Sequence, residues 1–220
     1  MITDVTLMFL KVLAENNNVK RMHRNKDVYQ QERKNFTAFI QQVIDRLKKI
    51  DPLLEWLQAK DCMFRQNKDI RFSTDKTPYK TNFGGVIAYQ GKKSPFAGIY
   101  IHIEPWKCFI GGWMYMTPPP VRNQVRARIA LHYKELDRIL ATKKFAETFH
   151  KILWETVKTA PKWYAKDHPA IKYLRYKYMY VSHPLNDSFV LSDGFIDYIV
   201  TCYKALKPFQ DFMNKALHTS

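Results

Sequence analysis

The residues best suited to chemistry surround a polar loop before the middle of the chain, where residues 71–85 read RFSTDKTPYKTNFGG. Arginine offers a planar fork to a phosphate or a carboxylate, and lysine offers a point charge. The loop therefore predicts a site for an anionic, phosphate-bearing small ligand. The predicted ligand-binding residues are Arg65, Asp69, Arg71, Lys76, Tyr79, Lys80 and Tyr100. The alternative is structural, since acidic and basic residues of this loop could pair with one another and pin it.

The strand that follows the loop carries the candidates for catalysis. In GIYIHIEP, isoleucines alternate with Tyr100, His102 and Glu104, which is the period of a strand with two different faces. We predict acid–base roles for His102 and Glu104, because both side chains share one face. The spacing of an HExxH helix is absent from the sequence, so no metal site is predicted, and the cofactor stays unknown. A hydrogen-bonded polar layer under a helix is the alternative.

Two glycine pairs, Gly84-Gly85 and Gly111-Gly112, fall in segments that otherwise read as strands. Glycine weakens a strand, so each pair needs a physical cause. Close approach of a ligand would be one cause, and the missing side chains would then leave a hollow floored by His102. The alternative is sheet curvature beneath a packed helix.

The net charge limits the choice of partners. Of the 220 residues, 36 are basic and 20 are acidic, which gives a formal charge of +16. Such an excess favours polyanions, so nucleic-acid binding is the alternative function. The sequence has no helix-turn-helix, zinc-finger, Walker, GxSxG or GxGxxG pattern to support a more specific assignment. A third alternative is a structural or protein-interaction module in which the loop only stabilises the fold.

Cysteine usage and hydropathy predict a cytoplasmic protein without a membrane partner. Cys62, Cys108 and Cys202 are far apart and no CxxC occurs, so neither a disulfide framework nor a zinc site is expected. The first residues, MITDVTLMFLKVLAENN, lack the features of a signal peptide. No segment approaches the roughly eighteen apolar residues of a membrane-spanning helix. The oligomeric state is left open.

The hydrophobic pattern predicts an α+β fold, with a single domain over residues 1–220. Helical spacing covers residues 4–15 and 26–49, and the second of these is a long amphipathic helix. Residues 82–116 read as strands with short connections, which predicts a central, mainly antiparallel meander. Amphipathic helices at the N- and C-terminal ends should flank this sheet.

The second half of the chain predicts further elements. TPPP at 117–120 indicates a helix entry, and residues 178–185 indicate another strand. A second short helix is predicted from apolar residues at helical spacing, Phe145, Phe149 and Ile152. Ser192-Asp193 should cap the final helix, and Pro208 should kink or split it.

Long stretches of the sequence resemble one known family. FRQNKDIRFSTDKTPYKTNFGG, GKKSPFAGIYIHIEP and GGWMYMTPPP are similar to the uncharacterised conserved proteins grouped as domain of unknown function 2461, and the resemblance covers nearly the whole chain. It implies a soluble intracellular α+β protein with no established activity. Near the start the family pattern reads NN-x-R-E-W-F, whereas this chain has Val19-Lys20-Arg21-Met22. The resemblance therefore implies that a site built from those family residues would be altered here.

Overall fold

The computed structural model describes residues 1–114, 118–149 and 151–217. Its helices are α1 (Asp4–Glu15), α2 (Val19–Arg24), α3 (Lys26–Lys48), α4 (Ala59–Cys62), α5 (Pro119–Leu140), α6 (Lys143–Thr148), α7 (Ile171–Leu174), α8 (Asp187–Val190) and α9 (Phe195–Asn214). Its strands are β1 (Phe83–Ile87), β2 (Gly98–Ile103), β3 (Cys108–Met114), β4 (Lys151–Thr156) and β5 (Tyr176–Leu185). The α+β class is confirmed, and helices both precede and follow the strands along the chain. Within the described ranges, no helix combines the length and apolar character needed to cross a membrane.

The strands of the described residues form one antiparallel sheet in the order β1-β2-β3-β5-β4. The predicted meander is confirmed, because β1, β2 and β3 are consecutive in both sequence and space. Its expected end at residues 115–116 lies outside the described residues. The strand predicted at 178–185 is also confirmed, as β5. Ile152, however, belongs to edge strand β4, so its assignment to a helix is wrong; a short apolar stretch fits either period.

Helices cover one face of the sheet and leave the candidate side chains on the other. α3 packs beneath β1, and α9 packs beneath β2 and β3. The isoleucines of β2 join the same hydrophobic core as the buried stripe of α3, which contains Phe36, Phe39, Ile40, Val43, Ile44 and Leu47. The opposite face holds a smaller cluster of Val86, Ala88 and Tyr100 with Phe64 and Phe109. The two predicted faces of β2 are thus confirmed.

The final helix differs from expectation at its start and in its middle. α9 begins at Phe195 with Gly194 as its N-cap, so the predicted cap at Ser192-Asp193 is wrong. The N–H of Phe195 donates to the carbonyl of Ser192 at 3.2 Å, which makes these residues a turn before the helix. α9 also continues through Pro208, so a split of the helix at this residue is wrong. Buried side chains on either side of the proline hold the helix across the missing N–H.

Candidate functional site

The predicted polar loop belongs to an irregular hairpin, residues 63–82, that runs along edge strand β1. Isolated antiparallel bridges join Met63 to Gly85 and Asn67 to Tyr79. These bridges lie outside the regular strands, so the two arms follow the edge of the sheet without extending it as a full strand. We call residues 63–82 the hairpin segment. It is the element that brings loop side chains next to the open face of β2.

Two side-chain amides hold the base of the hairpin segment, which is the part outside its tip, residues 63–68 and 78–82. Gln66 is 3% exposed, and its Nε2 donates to the carbonyl oxygens of Lys80 and Asn82. Asn17, between α1 and α2, donates to the carbonyl of Tyr79 at 2.7 Å and accepts from the Tyr79 N–H at 3.1 Å. Both bonds satisfy backbone groups that have no regular strand neighbour. The base is therefore fixed by one polar side chain of the segment itself, Gln66, and by one that is distant in sequence, Asn17.

The tip of the hairpin segment, residues 69–77, is held by its own side chains. Arg71 donates to both carboxylate oxygens of Asp69, at 2.6 Å from Nη2 and 2.9 Å from Nε. Hydrogen bonds from Arg71 lower the pKa of Asp69. The Nζ of Lys76 donates to the carbonyl oxygen of Ile70 at 3.0 Å. At the tip, Asp69 and Arg71 thus make the ion pair that the structural alternative describes, and Lys76 bonds to the backbone.

Three cationic side chains converge at the base of the hairpin segment: Lys80, Arg65 and Arg33 of α3. Burial lowers the pKa of Lys80, and the charges on Arg65 and Arg33 lower it further. The Lys80 ammonium lies 5.1 Å from the centre of the Phe64 ring. None of the three cations forms an ion pair within the described ranges. No sequence pattern pointed to Arg33, because this residue stands in a long amphipathic helix far from the loop.

Arg33 is the most constrained of these cations. Burial lowers the pKa of its guanidinium. Its Nη1 is buried and, among the described residues, has no hydrogen-bond partner. A buried donor without an acceptor is unfavourable, so this atom calls for a group that the described chain does not supply.

A polar cavity of about 250 Å³ lies beside the base of the hairpin segment, and its lining does not include the three cations themselves. Tyr79, which is only 8% exposed, lines it together with Lys26, Tyr29 and Gln30. Tyr29 and Gln30 lie one helical turn before Arg33 on α3, so the cavity is lined by the part of the helix that precedes Arg33. The structure thus brings Tyr79 to a cavity lined by α3, whereas the sequence only placed it in the polar loop.

Tyr100, His102 and Glu104 form a hydrogen-bonded relay on the open face of β2. His102 Nε2 lies 3.0 Å from Glu104 Oε2, and His102 Nδ1 lies 2.9 Å from the hydroxyl of Tyr100. The hairpin segment completes the relay, because Thr81 donates to Glu104 Oε1 at 2.9 Å and the Asn82 amide lies 3.3 Å from His102 Nδ1. The predicted pair is therefore brought together, with Tyr100 as a third member.

Burial and hydrogen bonding set the charge state of the relay. Burial lowers the pKa of His102 despite the opposing influence of Glu104, so the imidazole is neutral at neutral pH. Burial alone would raise the pKa of Glu104, but hydrogen bonds from His102 and Thr81 outweigh it and lower the pKa. Burial raises the pKa of Tyr100, which stays a phenol. Nε2–H therefore donates to the carboxylate, and Nδ1 accepts from the Tyr100 hydroxyl.

The two glycine pairs contribute to both faces of the sheet: Gly84 faces the relay, and Gly112 faces α9. A Cβ on Gly84 would lie 2.6 Å from the hydroxyl of Tyr100, and a Cβ on Gly112 would lie 2.5 Å from Leu206 of α9. Packing against a helix therefore explains Gly112, while Gly84 makes room for the relay. The expected hollow over the imidazole is filled, because the Phe109 ring stacks on it with centres 4.7 Å apart.

These features define a class of protein: an α+β fold with one helix-covered sheet face and, on the other, a polar relay beside a cationic hairpin. The model of the family described as conserved hypothetical protein (DUF2461) matches residues 5–212, and the chain belongs to this family. No curated protein and no solved structure matches the chain. The family description names no activity, so function has to be argued from the site.

Proposed function

We propose that this protein binds a small, phosphate-bearing anion at the base of the hairpin segment, beside α3. The observation that carries the proposal is the convergence of Arg33, Arg65 and Lys80, none of which forms an ion pair in the described chain. Lys80 and Arg33 are half-buried and Arg65 is exposed. Like charges held close together at such a place are unfavourable, and a bound anion would offset that repulsion. Acidic side chains could offset the repulsion too, but in the described chain none forms an ion pair with these cations.

The types of side chain suit a phosphate group. Each guanidinium presents a planar fork that fits two phosphate oxygens, and the ammonium adds a point charge. Arg33 also has a buried Nη1 donor without a partner among the described residues, which a phosphate oxygen would satisfy. Phe64 beneath the ammonium of Lys80 limits the positions that this side chain can adopt.

The adjoining cavity suggests the size and polarity of the rest of the ligand. Its volume of about 250 Å³ lies just below the range of small-molecule sites, roughly 300–1,000 Å³. Its lining offers hydroxyl, amide and ammonium groups from Tyr29, Gln30 and Lys26. These groups favour a compact body rich in hydroxyls, as in a sugar phosphate.

The proposal changes the roles of several predicted residues. Arg65, Tyr79 and Lys80 stay in the binding site, and Arg33 is added to it. Asp69, Arg71 and Lys76 act in the tip, where their bonds to one another or to the backbone keep the hairpin closed. Tyr100 supports the site through the relay.

A thermal-shift panel with matched arginine variants tests the proposal. Inorganic phosphate, ribose 5-phosphate, glucose 6-phosphate and AMP are each added to the wild type, Arg65→Gln and Arg71→Gln. We expect at least one phosphate compound to raise the Tm of the wild type and of Arg71→Gln, and to lose most of this effect in Arg65→Gln. The absence of any shift in the wild type, or equal losses in both variants, contradicts the proposal.

The relay supports a second candidate function, proton transfer to or from the bound ligand. The supporting observation is a continuous chain from the Glu104 carboxylate through a neutral imidazole to the Tyr100 phenol. General acid–base catalysis of this kind contributes at least about a hundredfold in rate. For a ligand found in the panel, conversion is followed by ³¹P NMR in the wild type and His102→Gln. Conversion at equal rates in both proteins would exclude a catalytic role for His102.

A further inference from the structure

The three N-terminal helices enclose an apolar groove that the proposed anion site does not use. Its volume is about 440 Å³, which lies within the range of about 300–1,000 Å³ for small-molecule sites. Val5, Met8 and Val12 line it from α1, and Met22 of α2 and Val28 of α3 line it from the other side. The lining is thus mainly apolar, with Asp4, Arg21 and Asn25 as its polar residues.

The exposure of these side chains is unusual for a helix with one face in the core. α1 buries Leu7 and Leu10 in the core, and such a helix ordinarily presents polar residues on its other side. Here Val5 is 55% and Met8 is 59% exposed, and both face the groove. Val28, on the far wall, is 41% exposed. A contiguous exposed apolar surface of this kind marks a binding site more often than scattered single residues do.

One cationic group is placed in the groove among these aliphatic side chains. Arg21 lines the groove, and its Nε is buried without a hydrogen-bond partner among the described residues. Asn25, which also lines the groove, donates to the carbonyl of Arg21 at 2.9 Å and so fixes the backbone beneath that guanidinium. The acidic residue of the lining, Asp4, is exposed to water in the first turn of α1. Arg21 forms no ion pair among the described residues, so its guanidinium is left to a ligand that carries an anionic group.

We infer that the groove binds a small apolar carboxylate, such as an acyl chain, with its carboxylate on Arg21 and its chain along Val5, Met8 and Val28. The aliphatic walls match the chain, and the guanidinium matches the anionic head. A wholly apolar occupant would leave the buried Nε unsatisfied, which is unfavourable. The net charge of +16 also favours an anionic head over a cationic one.

Calorimetric titration with two ligands that share a tail separates the roles of head and chain. Dodecanoate and dodecanol are each titrated below the concentration at which dodecanoate forms micelles. We expect the wild type to bind dodecanoate about tenfold more tightly than dodecanol, as a charged hydrogen bond would give. Arg21→Gln should remove most of that preference while it keeps the affinity for dodecanol. Equal affinities of the wild type for the two ligands overturn the inference.

A pair of charge-introducing variants locates the site. Met8→Glu places a carboxylate inside the groove and should abolish binding of dodecanoate. Val19→Glu makes the same change at a residue that is 53% exposed and outside the lining, and it should leave binding intact. Binding that survives Met8→Glu, or that both variants lose, overturns the inference. Lys80→Met should leave dodecanoate binding unchanged, so this result does not depend on the proposed anion site.

Two other occupants are distinguished in the same experiments. If the groove is instead an interface between copies of this chain, sedimentation shows an oligomer that Met8→Glu dissociates, and dodecanoate does not bind. If it docks on lipid surfaces, the protein sediments with phosphatidylglycerol vesicles and does not bind monomeric dodecanoate. Either outcome overturns the inference of a small-carboxylate site.

Discussion

At the scale of single residues, the protonation of His102 controls the relay on β2. Its pKa is lowered from 6.5 in the folded protein by burial, so the unfolded chain takes up this proton first as the pH falls. Stability should therefore decrease as the pH drops below about 6.5, and the lowered pKa of Glu104 adds to the loss below about 4.5. Urea unfolding at about pH 7.5 and about pH 5.5 should show a smaller decrease for His102→Gln than for the wild type. An identical decrease in both proteins would contradict this assignment.

Gly84 is a second residue on which the relay depends. A methyl group at Gly84 would meet the Tyr100 hydroxyl at 2.6 Å and displace the phenol from His102. We expect Gly84→Ala to lower the free energy of unfolding by about 1–3 kcal/mol, the usual range for overpacking. Gly194→Ala is the matched control, because the nearest atom that its methyl group would meet is 4.0 Å away. That variant should change stability by less than about 1 kcal/mol. Equal losses in the two variants would mean that contact with Tyr100 does not determine the effect.

At the scale of elements, Asn17 links the turn after α1 to the hairpin segment. Asn17→Ala removes two hydrogen bonds to the backbone of Tyr79, and each buried group left unpaired costs about 1–3 kcal/mol. We expect lower stability and faster amide hydrogen exchange at Tyr79 and Lys80. Asn16→Ala is the control, since this neighbour is exposed and its side chain has no hydrogen bond among the described contacts. Unchanged exchange at Lys80 in Asn17→Ala would show that another contact holds the base.

The same scale explains how much could be predicted from the sequence. The period of α3 and the alternation of β2 come from one-sided burial, so each pattern gave its element directly. β4 was missed because Ile152 also fits a helical spacing, and its place at the sheet edge depends on pairing with β5, a long-range contact. The pair His102–Glu104 was predictable because both residues lie on one strand. Arg33 and Asn17 were not, since only the tertiary packing brings them to the hairpin segment.

At the scale of the whole molecule, the charge of +16 makes weak binding to any polyanion expected. Binding to duplex DNA releases condensed counterions, and a protein with several phosphate contacts loses about a thousandfold in affinity between 50 and 200 mM salt. A small anion has no condensed counterions, so its affinity should fall by less than about tenfold over this range. The two functions are compared by titrating a DNA duplex and a phosphate ester at both salt concentrations. The ester is the compound of the thermal-shift panel that raises the Tm of the wild type. Tight, salt-resistant DNA binding, with no binding of the ester, would favour the nucleic-acid alternative.

The measurement that tests the central claim most directly is the unfolding free energy of Lys80→Met with and without the phosphate ester. The variant keeps the chain over Phe64 but removes one of three repelling charges, so the free protein should be as stable as the wild type or more so. At about 100 times its Kd, the ester should add about 2.7 kcal/mol to the wild type and to the control Lys76→Met, and far less to Lys80→Met. A destabilised Lys80→Met that still gains the full increment would contradict the anion site.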